Sequence, residues 1–182
     1  MQATADMALD HEPSALRRFV RRNLHAIIGI GVLALVGAAA TALGTWRVDD
    51  PSLSNAVNQS VANYLGYPGA VFADLAMQFL GVAAPILLIP GLIWGWRLIA
   101  GTMPRFGRLT PLSWLLGGLA AAAAAATLPV PDSWPLPTGL GGVAGDLLLR
   151  LPEALLGGIA GWSAVLVGLL LTLCAVGLLI HA

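Results

Sequence analysis

The side chains able to do chemistry are few and scattered. Histidines stand at positions 11, 25 and 181, and Cys174 is the only cysteine. None of these shares the spacing of a metal-ligand set. No Ser/His/Asp or Cys/His arrangement suggests an activated nucleophile. Gly139 to Ala144 fits G-x-G-x-x-A, a loose dinucleotide fingerprint. That motif works only between a strand and a helix, and here it follows Pro129, Pro131, Pro135 and Pro137. All nine basic residues are arginines. A phosphate-binding loop needs its lysine, so these residues should not hydrolyse ATP. The expectation is no catalytic, metal-binding or cofactor-binding residue in the chain.

One polar pair remains. Asp74 and Gln78 are four apart in an apolar stretch, which puts them on one helix face with Gly81 and Pro85. An ionisable group inside a span is a functional candidate by default. Asp74, however, falls within one turn of the expected outer edge, so interfacial or interhelical hydrogen bonding is the plainer reading. A small four-span channel or transporter is the alternative, and it would depend on these two residues.

The elements that must carry such residues follow from composition. Of 182 residues, 58% are hydrophobic and 10% charged, against about 45–50% and about 25% in soluble domains. That balance excludes an ordinary cytosolic enzyme, a disordered protein and a basic nucleic-acid-binding domain. It implies an all-α integral membrane domain, because an open strand would leave backbone groups unpaired in lipid. Four stretches reach about the length needed to cross a bilayer: about 24–45, 72–99, 112–128 and 155–180. They would form two hairpins. Pro111 suits the start of the third helix, and Pro129 closes it. Residues 1–23 read as a tail plus a short amphipathic helix, and 24–182 as the membrane domain.

Arginine placement orients the spans. Arg17, Arg18, Arg21 and Arg22 precede the first span, and Arg97, Arg105 and Arg108 lie at or between the second and third. Only Arg47 and Arg150 fall on the other side. Both termini are therefore expected in the cytoplasm. Trp94, Trp96 and Trp114 would mark the inner edge, Trp46 and Trp134 the outer; Trp162 fits neither belt. The first four arginines share an arc of about 140° on a helical wheel, with Leu16, Phe19 and Val20 opposite, as in a helix lying on anionic lipid.

The first outer loop carries Asp49-Asp50-Pro51-Ser52, a turn and helix-cap signal, and is polar through Asn55, Asn58, Gln59, Ser60 and Asn63. The second is stiffened by prolines, loosened by Gly139, Gly141, Gly142 and Gly145, and leads into a short interfacial helix or a shallow re-entrant loop. Gly91-x-x-x-Gly95 and Gly157-x-x-x-Gly161 let helices approach closely, within one bundle or between protomers. Ala34, Ala38 and Ala42 form a similar ridge, and Ala120–Ala126 make the third span thin. Pro85 and Pro90 can kink the second span. No tandem sequence repeat stands out beyond two similar hairpins.

Several strings together are distinctive. Asp49-Asp50-Pro51-Ser52-Leu53-Ser54-Asn55-Ala56 continues to Asn63-Tyr64-Leu65-Gly66-Tyr67-Pro68-Gly69-Ala70, then Ala73-Asp74-Leu75 and Gln78-Phe79-Leu80-Gly81. Gly95-Trp96-Arg97-Leu98, Leu128-Pro129-Val130-Pro131, Trp134-Pro135-Leu136-Pro137, Gly139-Leu140-Gly141-Gly142 and Gly145-Asp146 follow. Their order around four spans resembles the N-terminal membrane domain of FtsK-type DNA translocases, in the form seen in alphaproteobacteria, over about residues 20–182. The resemblance implies a multi-pass inner-membrane protein at the division septum, where this domain anchors the protein and meets other division proteins. It implies a cytoplasmic linker and a hexameric motor that moves double-stranded DNA using ATP and Mg. That motor and its ATP- and DNA-binding residues are expected to be missing from this chain, which stops where the fourth span reaches the cytoplasm. Homo-oligomerisation is the expected assembly.

Overall fold

The computed structural model describes residues 15–102, 107, 109–158 and 162–181. The described residues are helical, with no strand. Helix α1 is Ala15–Gly44, α2 Gly66–Leu80, α3 Leu88–Ile99, α4 Thr110–Ala126, α5 Gly142–Leu156 and α6 Trp162–His181. A 3-10 segment, Gly81–Leu87, joins α2 to α3. Among the described residues three helical stretches are long and apolar enough to cross a membrane: Phe19–Gly44, Gly66–Ile99 and Ser163–Ile180, with Thr110–Ala126 a shorter apolar helix.

The basic segment and the first span are one continuous helix; nothing between Arg22 and Leu24 breaks it. At the other end of α1, Thr41 and Thr45 donate their hydroxyls to the carbonyls of Gly37 and Thr41, each at 2.8 Å. The hydroxyls thus stay satisfied without leaving the helix.

The second apolar stretch begins earlier than expected, at Gly66, and is not straight. Gly91 lies against Val36, where an added Cβ would meet Cγ2 at 2.9 Å. Gly69 sits beside Asn63, whose amide donates to Ala42 O at 2.8 Å. Val36 and Ala42 are about 9 Å apart along α1, whereas a straight helix from Gly69 to Gly91 would span about 33 Å. The chain therefore turns between α2 and α3. It turns at Gly81, at φ 57 and ψ −140, a conformation essentially reserved for glycine. Beyond it, Pro90 lacks the N–H that a helical residue gives to the carbonyl four residues back. The indole of Trp114 ties α4 to this stretch, donating to Leu87 O at 2.9 Å. Its ring also meets Trp94 edge-on, centroids 5.5 Å apart, so Trp114 braces two helices where the sequence suggested an edge anchor.

The fourth stretch also divides differently. Leu155 and Leu156 end α5, Gly157 closes it at φ 70 with its N–H on Glu153 O, and α6 follows from Trp162. Antiparallel pairs hold the bundle: α1 with α3, where Gly29 meets Gly95 and Ile99, and α4 with α6, where Gly117 meets Leu179. The described start of α1 and end of α6 consequently face the side of the α3–α4 connection. Buried side chains are mostly alanine, including Ala42, Ala73, Ala83, Ala122, Ala123 and Ala175. Large apolar side chains such as Leu35, Leu166 and Leu173 point outward. Close backbone approach through small residues, with large side chains left for lipid, is how helices pack without water to drive them together.

Candidate functional site

The chemistry-bearing residues gather at the end of the bundle where α2 and α5 lie. The loop 45–65 between α1 and α2 is tied down by two buried carboxylates. Asp50, 6% exposed, accepts from the backbone N–H groups of Ala62 at 2.8 Å and Asn63 at 3.0 Å. It caps no helix, contrary to the capping signal in the sequence; it pins the far end of its own loop. Asn63 then donates to Ala42 O, a carbonyl of the last turn of α1, and accepts from Leu65 N at 3.1 Å. Asn55 donates to Val48 O at 3.0 Å.

Asp74, also 6% exposed, is the second anchor. Its Oδ2 accepts from Ser52 Oγ at 2.7 Å, from Ser54 Oγ, and from Gln78 Nε2 at 3.0 Å. Gln78 also donates to Ser54 Oγ at 2.7 Å. Asp74 and Gln78 are thus brought together as their spacing implied. Ser52 and Ser54, which complete the cluster, were not singled out as partners; only the tertiary fold of the loop delivers them. Ser52 Oγ in turn accepts from Ser54 N at 3.3 Å and Asn55 N at 3.1 Å. Three donors converge on this one buried carboxylate oxygen. The cluster is a structural clamp, and the buried side chains described below it are mostly alanine.

Beside the clamp lies a cleft of about 460 Å³, lined by Asp49, Ser54, Asn55 and Gln78 on one side and Pro135, Leu136, Pro137 and Thr138 on the other. Its second wall comes from the proline-rich loop, where Trp134 donates to Thr138 O at 2.8 Å and Asp146 accepts from Gly139 N at 3.0 Å.

The glycines of that loop make close backbone contacts with α2 and α4. Leu140 O accepts from Val82 N at 2.9 Å, just past the turn at Gly81. A Cβ on Gly81 would fall 1.9 Å from Leu140 O, and one on Gly142 would fall 2.7 Å from Gln78 O. Gly141 and Gly145 press on Ala122 O of α4. The run read as a loosened loop, or a weak dinucleotide motif, is a backbone wedge between α2 and α4. No strand precedes it, so the fingerprint has no support.

The other expected site residues divide. Gly91 and Gly95 pack within the chain, Gly95 against Leu33 with a would-be Cβ at 2.7 Å. Gly157 is a correction: at φ 70 it ends α5, and a Cβ there would meet nothing within 4 Å, so among the described residues no helix packs on it. Gly161 lies outside the described residues. Arg21, Arg22 and Arg97 are exposed, Arg97 in the last turn of α3, where a cation suits the helix dipole. The side chains of Arg17 and Arg18, and residues Arg105 and Arg108, lie outside the described residues. Among the described residues no group of His, Cys, Asp and Glu could hold a metal ion.

Comparison with known proteins gives this geometry a family. The 4TM region of DNA translocase FtsK/SpoIIIE matches residues 21–181. The DNA translocase FtsK of Brucella suis biovar 1 (strain 1330) is 51% identical over 140 residues, covering 76% of this chain and 16% of that protein. That of Mesorhizobium japonicum is 43% identical over 160 residues, 86% of this chain and 18% of the relative. That of Agrobacterium fabrum (strain C58) is 39% identical over 175 residues, 94% of this chain and 19% of the relative. No solved structure matches. The chain spans less than a fifth of the length of these relatives, and the region matched is the membrane region, not the motor. With its apolar helices and alanine-packed core, the chain belongs to the FtsK/SpoIIIE family as the 4TM region of a DNA translocase.

Proposed function

We propose that this domain is the membrane anchor, and the assembly and septum-targeting module, of a DNA translocase that couples chromosome segregation to cell division. The match of residues 21–181 to the 4TM region, with relatives named as DNA translocases, carries this reading. The seven arginines at the side of the chain ends and the α3–α4 connection favour the cytoplasm there. Both termini then face the chromosome in the bacterial inner membrane, where a motor following α6 would work. ATP and Mg belong to that motor, and double-stranded DNA would be met only through it. The bilayer is the immediate partner; a homo-oligomer, hexameric in the full-length family, and other division proteins are the further ones. The loop clamped by Asp50 and Asp74 offers the outer face on which division proteins would dock.

A fluorescent fusion of residues 1–182 tests the targeting. Concentration at midcell in dividing cells is expected; uniform membrane fluorescence in the same cells would overturn it. The channel reading finds no support in the clamp, because Asp74 and Gln78 bind the loop above them.

A further inference from the structure

The likeness of the two hairpins extends to helix length and glycine conformation. Both α2 and α5 have 15 residues. Each opens on a glycine at positive φ, Gly66 at 65 and Gly142 at 64, and closes on another, Gly81 at 57 and Gly157 at 70. In register, Gly66, Gly69, Leu75, Leu80 and Gly81 fall on Gly142, Gly145, Leu151, Leu156 and Gly157. The packing repeats too. Ala73 and its counterpart Leu149 are both buried. Gly69 sits by the Ala-rich outer end of α1, as Gly145 sits by that of α4. Each unit is a span, a loop, a glycine-bounded helix and a returning span, with both units pointing the same way.

One joint between units is filled. The opening of α5, Leu140 to Gly142, is wedged into the closing turn of α2 at Gly81. The equivalent pieces at the two ends of the series are bare. Tyr64, the counterpart of Leu140, is 81% exposed, and Leu65, the counterpart of buried Gly141, is 42% exposed. A Cβ on Gly157, the counterpart of Gly81, would meet nothing within 4 Å, and Leu155 is 85% exposed where its counterpart Phe79 is 59% exposed. Repeats bury their faces against neighbours, so the terminal units of a series carry the unfilled halves of the same joint.

We propose that the Asn63–Tyr67 opening of α2 in one copy docks on the Leu155–Gly158 end of α5 in the next copy. The contact continues the interface already formed between the two units. It rests on reading the domain as an assembly module and names the surface that does the assembling. Such a contact is heterologous: different patches meet, so chains add head to tail and close into a ring when the rotation allows. Gly157 at φ 70 and ψ 24 is in the conformation of a free helix end. Gly81 at ψ −140 is the form taken when a neighbour's carbonyl has entered. Docking would swing Gly157 toward the Gly81 form and pass the Gly158 N–H, now on Glu153 O at 2.9 Å, to Tyr64 O of the next copy.

Cross-linking in membranes tests this. In a Cys174→Ala background, the double variant Tyr64→Cys with Leu155→Cys is treated with a short bis-maleimide. A ladder of dimer, trimer and higher species is expected, with no ladder from either single variant. A separate chain with Val82→Cys and Leu140→Cys should link internally, showing that the fold has formed. Tyr64→Asp should lower the multimer fraction at least tenfold and leave that internal link intact. Dimers from either single variant would show a symmetric contact and overturn the proposal. So would no ladder from chains whose mass in nanodiscs is multimeric, which would leave assembly standing through another face. No ladder from chains of monomeric mass would remove both the joint and the assembly reading.

Discussion

Replacing Gly81 with alanine should pry apart the two hairpins. The Cβ would sit 1.9 Å from Leu140 O, 2.7 Å from Leu140 C and 2.8 Å from Gly142 N. All three are backbone atoms, so no side chain can swing away. The residue also holds φ 57 and ψ −140, which costs an alanine on the order of 1–3 kcal/mol. Withdrawing Leu140 to relieve the clash breaks its bond from Val82, about 1 kcal/mol, and opens contacts around Ala83 and Ala122. The total is about 3–5 kcal/mol, or roughly 150- to 5,000-fold in the folded population, since 1.4 kcal/mol is about tenfold. The assay is unfolding of the purified chain in mixed micelles by rising SDS fraction, with Gly177→Ala as reference. Gly177 is in α6 with open space around it, so alanine there should be neutral or slightly stabilising. Gly142→Ala, at the same joint, should lose less in the Gly81→Ala background than alone, because neighbours sharing one opening do not add. Equal stability of Gly81→Ala and Gly177→Ala would refute the wedge.

Two further outcomes follow from the clamp and the brace. Asp74→Ala removes the common acceptor of Ser52, Ser54 and Gln78. It should destabilise by about 1.5–3 kcal/mol and speed protease cleavage within residues 47–63 at least tenfold, while Asn58→Ala leaves the rate unchanged. Trp114→Phe keeps an aromatic ring against Trp94 but deletes the donor to Leu87 O. It should cost about 1–2 kcal/mol in the same SDS titration, and no loss would mean that the carbonyl finds another partner.

Much of the helical layout was legible because lipid imposes a simple rule. A backbone crossing hydrocarbon must be helical and its outer surface apolar, so apolar length alone marks α1, α4 and α6. Pro111 sits in the first turn of α4, as a start signal should. Asp74 and Gln78 met because their spacing lies within one helix. Ser52 and Ser54 are two positions in a polar loop like many others, and their role appears only when the loop folds back over α2. Gly157 looked like half of a packing motif because spacing cannot distinguish a glycine inside a helix from one that ends it.

The amino-acid sequence by itself determined the medium and the arginine asymmetry from which orientation is argued. Those follow from counting apolar residues and arginines along the chain, local quantities that no folding can alter. The tertiary structure decided the turn at Gly81, the wedge of Leu140, the clamp at Asp74 and the exposed ends that the two hairpins leave unfilled. Each of the first three depends on two segments far apart in the chain meeting at atomic distance. A glycine's need for positive φ, or for an absent Cβ, exists only once the other backbone has arrived.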